Sequence, residues 1–209
     1  MAQNGEGTLI IACGALAREV AALRSANRWD ALDVRCLPAE LHNRPERIPG
    51  AVRDAIRASR QHYRSIFVAY GDCGTGGQLD AVLREEGVER IPGAHCYEFY
   101  ATSAIFAQLA DAEVGSFYLT DFLLRHFDRL VIRGLGLDRH PELFPTYFGN
   151  YRRLVYLAQA PAADAESRAR AIAERMGLEF AYRLTGYGTL ATSLAAAVER
   201  TEEADAWAP

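Results

Sequence analysis

Short apolar runs alternate with amphipathic segments along most of the chain. Six runs have the length and apolar character of buried strands: residues 8–14, 33–38, 65–70, 89–92, 153–158 and 178–182. Five segments have helical spacing of their apolar positions: residues 15–24, 49–63, 78–86, 163–176 and from about 190 onward. Strands that alternate with helices predict a mainly parallel sheet with helices on both faces.

The pattern therefore predicts an α/β protein with three layers. We expect one domain over residues 1–209, with frayed ends at 1–7 and 201–209. The segment 102–150 does not follow the alternation and is rich in aromatic residues. We interpret it as a helical insertion, with aromatic side chains that pack within the protein or form a contact with a second subunit.

Charge and composition exclude several classes of function. The formal net charge is -4, and no clustered basic excess indicates nucleic-acid binding. All 23 basic residues are arginine, so a lysine Schiff base and a P-loop lysine are both excluded. No apolar run is long enough for a membrane span, and the first residues do not resemble a secretory signal. We expect a cytoplasmic protein.

Cysteine and histidine residues follow the ends of four predicted strands. Cys13 ends the first strand, His42 follows the second, Cys73 the third, and the pair His95 and Cys96 the fourth. The carboxyl ends of parallel strands meet at one edge of a sheet, so these side chains are expected to converge. Thiolate and imidazole are ligands that zinc prefers. A metal site, separate burial of each cysteine in the core, and a reactive thiol all fit this placement.

The fourth cysteine has a different setting. Cys36 lies inside the second predicted strand beside an apolar residue, and we interpret it as a core residue.

A glycine-rich segment joins the third strand to the next helix. In one interpretation, Gly74, Thr75, Gly76 and Gly77 hold an anionic group of a substrate with their backbone N–H groups. In the other, the segment is a tight turn without a ligand. Asp72 and Glu98 are candidates for catalytic acid–base groups or for orienting a ligand histidine, and otherwise they are solvated loop charges.

Several motifs together resemble one family. In chain order they are IACGAL, LPAELHNRPERI, YGDCGTGG, GAHCYEFY, GSFYLTDF and NYRRLVYL. Over roughly residues 9–188 the chain resembles the domain of unknown function 1638 family. The resemblance implies a site at Cys13, His42, Cys73, His95 and Cys96. Family sequences have His-Asp-Cys where this chain has His95 directly before Cys96, which changes the relative direction of these two side chains.

The resemblance also implies an association with corrinoid-dependent methyl transfer and C1 metabolism. The thiolate and imidazole ligands favour zinc, with iron as second choice, and we expect an enzyme that acts on a small molecule as a methyltransferase, which the association favours, or as a hydrolase. The alternative is a non-catalytic accessory protein or metal carrier that docks on a corrinoid protein or a methyltransferase. Self-association into a homo-oligomer is compatible with either expectation.

Overall fold

The computed structural model describes residues 7–206. Seven strands are present in this part of the chain: β1 (Thr8–Cys13), β2 (Leu32–Leu37), β3 (Ser65–Ala69), β4 (Glu89–Arg90), β5 (Ser116–Thr120), β6 (Arg153–Ala158) and β7 (Glu179–Leu184). The α-helices are α1 (Ala17–Asn27), α2 (Ile48–Ser59), α3 (Gln78–Glu86), α4 (Ser103–Ala112), α5 (Asp121–Phe127), α6 (Phe144–Phe148), α7 (Ala165–Met176) and α8 (Gly188–Ala206). Strands and helices alternate, and all pairings between strands are parallel. The predicted α/β class is confirmed.

The first sheet contains four strands in the order β2-β1-β3-β4. β1 is its central strand, and every residue of β1 is buried. A parallel strand covered on both faces requires such a continuous apolar run. The chain passes from β1 to β2 on one side and returns to β3 on the other. This reversal of strand order creates a crevice at the carboxyl ends of β1 and β3.

The second sheet contains three strands in the order β5-β6-β7. The expected helical insertion at 102–150 was therefore wrong in part, because β5 lies within it and pairs with β6. The aromatic side chains of this segment pack around the sheet. Phe117 makes edge contacts with Phe127, Phe148 and Tyr151, at centroid distances of 6.4, 5.8 and 5.5 Å. A π-helix at Asp128–Arg133 follows α5.

The chain divides into two compact units. The first contains the described parts of Met1–Phe99 and Thr189–Pro209, and the second contains Tyr100–Gly188. Each unit has its own parallel sheet. The expectation of a single domain over residues 1–209 stays a prediction.

The last described residues belong to α8, and the fraying expected at 201–209 stays a prediction. α8 continues to Ala206, and Thr201 is buried, where its hydroxyl accepts a 2.6 Å hydrogen bond from Thr8 Oγ1. Residues 1–6 and 207–209, for which fraying was also expected, lie outside the described residues. Among the described helices, none has the length and apolar character needed to cross a bilayer.

Candidate functional site

The carboxyl ends of the strands of the first sheet bring three cysteines together. Cys13 is the last residue of β1, Cys73 follows β3, and Cys96 follows β4. All three side chains are buried. We call these three residues the sulfur cluster.

Contacts between the thiols define the sulfur cluster. The Sγ atoms of Cys73 and Cys96 lie 3.2 Å apart, and the backbone N–H of Gly71 donates to Cys96 Sγ at 3.4 Å. The Cys96 thiol also hydrogen-bonds to Cys13. This central position raises the pKa of Cys96 and lowers the pKa of Cys13. The same hydrogen bonding, with a contribution from His42, lowers the pKa of Cys73 to about 5.

His42 lies beside the sulfur cluster on its exposed side. The residue belongs to a 3-10 helix at Ala39–Asn43, directly after β2. A hydrogen bond with Cys73 raises the pKa of His42 and helps to lower that of Cys73. The pair thus favours an imidazolium next to a thiolate.

Tyr70 is a further member of the site, and the sequence did not single it out. Its side chain is 1% exposed. Its hydroxyl makes no hydrogen bond of standard geometry within the described residues, and it approaches the thiol of Cys13. Burial is the main cause of the raised pKa of Tyr70, so the phenol stays protonated. The only available signal in the sequence was its position directly after β3 and before the glycine-rich segment.

Backbone contacts join the loop after β3 to the loop after β4. The N–H groups of Asp72 and Cys73 donate to the carbonyls of Gly93 and Ala94, at 3.0 and 2.7 Å. Gly71 permits this approach, since a Cβ atom there would lie 2.7 Å from the carbonyl carbon of His95.

Cys73 has an unusual backbone conformation, with a φ of 49°. A left-handed conformation is uncommon for a residue other than glycine, and such strain often occurs at functional sites. With this backbone conformation, the thiol of Cys73 lies against the thiol of Cys96.

The glycine-rich segment is occupied by a side chain of its own loop. Asp72 accepts hydrogen bonds from the N–H groups of Gly76 and Gly77 at 3.1 and 2.8 Å, and from the hydroxyl of Thr75 at 2.6 Å. These bonds, that of Thr75 foremost, hold the pKa of Asp72 below its usual value. A further bond from the N–H of Gly74 adds to the effect. The groups expected to bind a substrate anion therefore bind Asp72, which acts here as a structural cap.

Glu98 and His95 also have local partners. Glu98 Oε2 accepts a 2.9 Å hydrogen bond from the N–H of Ala94 and so stabilises the loop before Cys96. The ring of His95 stacks on Tyr97 at a centroid distance of 4.8 Å, and its buried Nδ1 atom has no hydrogen-bond partner among the described residues. Of the two candidate histidines, His42 is the one that contacts a cysteine of the cluster. The catalytic roles of Asp72 and Glu98 stay predictions.

The interpretation of Cys36 as a core residue was wrong. The residue is exposed on β2, an edge strand in which only the first and last positions are buried. An apolar neighbour in sequence does not bury a residue on such a strand, because the sheet continues on one side only.

The described side chains do not form a metal centre as they stand. Within residues 7–206, no group of three or more His, Cys, Asp and Glu residues has its donor atoms arranged to hold a metal ion. In the sulfur cluster, the thiols instead share protons with one another.

The fold and the site together define an α/β protein with a cysteine-rich centre at the carboxyl edge of a parallel sheet. A family model described as "Protein of unknown function (DUF1638)" matches residues 36–194, which is more than half of the chain. The chain belongs to this family. His42, Cys73, His95 and Cys96 lie within the matched residues, and Cys13 precedes them. A search of curated proteins found no match.

Proposed function

We propose that the sulfur cluster binds zinc, with Cys13, Cys73 and Cys96 as ligands, and that the protein is an enzyme acting on a small molecule. The observation that carries this proposal is the convergence of three buried thiols from three different strand ends. A cysteine buried only for packing has no need of a second thiol at 3.2 Å.

The donor set fits a zinc ion. Zinc–sulfur bonds are about 2.3 Å long, so two thiolates in a tetrahedral zinc site lie about 3.8 Å apart. The Sγ atoms of Cys73 and Cys96 lie 3.2 Å apart, so they need to separate by about 0.6 Å to bind the ion. Zinc binds thiolates and releases their protons, and the lowered pKa values of Cys13 and Cys73 favour this exchange. The protonated Tyr70 hydroxyl, directed at Cys13, offers a hydrogen bond to a sulfur ligand.

An enzyme is favoured over a purely structural site because the cluster supplies three sulfur ligands. A zinc ion with three protein ligands keeps a position for substrate or water and acts there as a Lewis acid. His42 is exposed, and its hydrogen bond with Cys73 raises its pKa and so favours the protonated imidazole, which can bind or protonate a substrate group. The expected link to corrinoid and C1 chemistry depends on the family resemblance alone, and so does docking on a methyltransferase.

Metal content tests the proposal. Protein purified without a histidine tag and without added metal is analysed by inductively coupled plasma mass spectrometry. We expect about one equivalent of zinc in the natural protein, and its loss in Cys13→Ser, Cys73→Ser and Cys96→Ser. Cys36→Ser is the matched control, because Cys36 is exposed and outside the sulfur cluster. Zinc retained by all three cluster variants, or absent from the natural protein after reconstitution, would refute the proposal. Iron in place of zinc would show that the sulfur cluster binds the second-choice metal.

A second candidate function is nucleophilic catalysis by a thiol, and the pairing of Cys73 with His42 favours it. A Cys73 thiolate can attack an electrophilic carbon and displace its leaving group, while His42 donates the proton that this group requires. The two functions separate experimentally. A nucleophilic Cys73 predicts activity in metal-free protein, lost in Cys73→Ser and kept in Cys13→Ser, whereas zinc binding requires both residues.

A further inference from the structure

The second unit contains a cavity that is independent of the sulfur cluster. Its volume is about 510 Å³, within the range of small-molecule sites. It is lined by α5, by the π-helix and by α7. Every lining residue belongs to the second unit.

The lining of this cavity is strongly basic. It includes the five arginines Arg125, Arg129, Arg133, Arg168 and Arg175. The one acidic residue among the lining residues is Asp128, which pairs with Arg175 at 3.0 Å. The lining side chains thus carry a clear positive balance in a chain whose formal net charge is -4. Like charges that share a cavity repel one another, and a bound anion removes that cost.

Helical spacing places these arginines around the cavity. On α7, Arg168, Ala171, Ile172 and Arg175 follow a spacing of three and four residues, so they share one face of the helix. Across the cavity, Arg125, Arg129 and Arg133 are four residues apart along α5 and the π-helix.

The backbone of this wall is irregular. His126 has non-helical angles, with φ -118° and ψ 16°, and the π-helix begins two residues later. Short π-helical segments occur frequently at functional sites. This irregularity is a second observation that points to a ligand, independent of the charges.

We propose that this cavity binds a small organic phosphate ester. Arginine forms forked, charge-assisted hydrogen bonds to phosphate, and several guanidinium groups match the oxygens of one dianionic group. Leu124 and Phe127 are buried in the wall, and Ala171 and Ile172 face them from α7. These apolar side chains provide a surface for the organic part of the ester. Inorganic phosphate alone would leave that surface uncovered.

Isothermal titration calorimetry on the full-length protein tests the proposal, at physiological ionic strength, with phenyl phosphate as the probe. Arg133→Gln combined with Arg168→Gln removes two exposed arginines from opposite walls and leaves the buried side chains of Leu124 and Phe127 unchanged. We expect the dissociation constant to rise at least about tenfold in this variant, since hydrogen bonds to charged groups are lost. Arg139→Gln is the matched control, because Arg139 is exposed in the same unit but does not line the cavity. It should bind phenyl phosphate as the natural protein does.

Four results would contradict the proposal. The first is an absence of phenyl phosphate binding, and the second is equal binding by the double variant. The third is equal binding of phthalate, which would assign the cavity to dicarboxylates. Inorganic phosphate should bind more weakly than phenyl phosphate, and equal affinity would contradict the role of the apolar wall. None of these outcomes depends on zinc, so the proposal stands or falls separately from the function of the first unit.

Discussion

The three thiols of the sulfur cluster differ in their affinity for protons because of their places in the cluster. Cys96 lies between the other two and makes a hydrogen bond with each, and these bonds raise its own pKa while they lower those of Cys13 and Cys73. The lowered pKa values favour the thiolate forms of Cys13 and Cys73, which place negative charge inside a buried site. Such charge requires a cation or a proton donor nearby, and His42 is the donor that the structure places there.

His42→Gln should raise the pKa of the Cys73 thiol in metal-free protein. The hydrogen bond with Cys96 is the largest cause of the Cys73 pKa of about 5, but the imidazole of His42 lowers it further, and a neutral amide cannot replace that charge. The thiolate of Cys73 should therefore form at higher pH in the variant. Ultraviolet absorbance of the thiolate during a pH titration measures this, with Cys73→Ser protein subtracted to isolate the signal.

His62→Gln is the control for this titration. His62 is exposed beyond the end of α2 and belongs to no part of the site. An unchanged Cys73 titration in the His42 variant would show that the contact between the two side chains does not persist in solution.

Gly71→Ala should destabilise the protein and disturb the sulfur cluster. The added Cβ would lie 2.7 and 2.9 Å from two backbone atoms of His95, so the loops after β3 and β4 must move apart. A cost of about 1–3 kcal/mol in the free energy of unfolding is expected for such overpacking. Urea denaturation measures the stability, and metal content measures the site.

Gly50→Ala provides a control of opposite sign. Gly50 lies in α2, and a Cβ there meets no atom within 4 Å. Alanine in place of glycine inside a helix should raise the stability by roughly 0.5–1 kcal/mol. If both variants lost stability equally, the close approach at Gly71 would not be the cause.

Much of the candidate site could be predicted from single residues, because strand ends in a parallel sheet share an edge. That rule predicts that Cys13, Cys73, Cys96 and His42 lie close together. It could not identify Tyr70, since an aromatic residue at the end of a buried strand is common in any core. The role of Asp72 as a cap also escaped it, although an aspartate at the start of a glycine-rich loop, here Asp-Cys-Gly-Thr-Gly-Gly, is typical of a turn closed by its own side chain.

At the scale of elements, one arginine fixes the loop that carries Cys96. Arg90 ends β4 and donates to both carboxylate oxygens of Asp80 on α3, at 2.6 and 3.0 Å. Its NH1 group also donates to the carbonyls of Ile91 and Gly93, at 2.8 and 3.1 Å. The Gly93 carbonyl in turn accepts from Asp72, so this clamp is continuous with the loop that precedes Cys73.

Asp80→Asn should weaken the clamp in a pH-dependent way. The ion pair with Arg90 lowers the pKa of Asp80 from its ordinary value of 3.8, so the folded state favours the carboxylate. Its stabilising contribution is therefore complete above the ordinary pKa and is lost as the pH falls through the lowered value. At neutral pH we expect the variant to be less stable by about 1 kcal/mol, because Asp80 is partly exposed to solvent.

Urea denaturation at several pH values measures the difference between the two proteins. The difference should be constant near neutrality and shrink below about pH 4. Asp54→Asn on the exposed side of α2 is the control and should change stability little at any pH. A difference in the free energy of unfolding that increased as the pH fell would contradict the expected direction of the effect.

Long apolar runs made most elements predictable, and β1 is the clearest case. All six of its residues are buried, as its uninterrupted apolar sequence indicated. β5 was missed because its sequence, SFYLT, mixes polar and aromatic residues inside a segment that does not follow the strand–helix alternation. The π-helix at Asp128–Arg133 carries no sequence pattern that distinguishes it from an α-helix.

At the scale of the whole molecule, the chain leaves the first unit near residue 99 and returns to it at residue 189. No linker composition marks either crossing, and for this reason the sequence suggested one continuous sheet. The two units also offer different chemistry. The first unit contains the thiols of the sulfur cluster, and the second unit contains a cavity lined by arginine side chains.

The return of the chain makes α8 part of the first unit, so the stability of that unit should depend on the far end of the sequence. Leu194 in α8 is fully buried. Leu194→Ala should lower the free energy of unfolding by about 2–5 kcal/mol, since it removes buried methyl groups and leaves a cavity. Leu184→Ala is the matched control, because Leu184 is 54% exposed on β7 and its loss should cost under about 0.5 kcal/mol.

Hydrogen exchange then shows which part of the molecule is destabilised. Amides of β1 and β3 should lose protection in the Leu194 variant, because these strands form the sheet of the same unit, while amides of β6 should keep theirs. Equal loss of protection in both sheets would mean that the two units unfold as one cooperative body, and would support the single domain expected from the sequence.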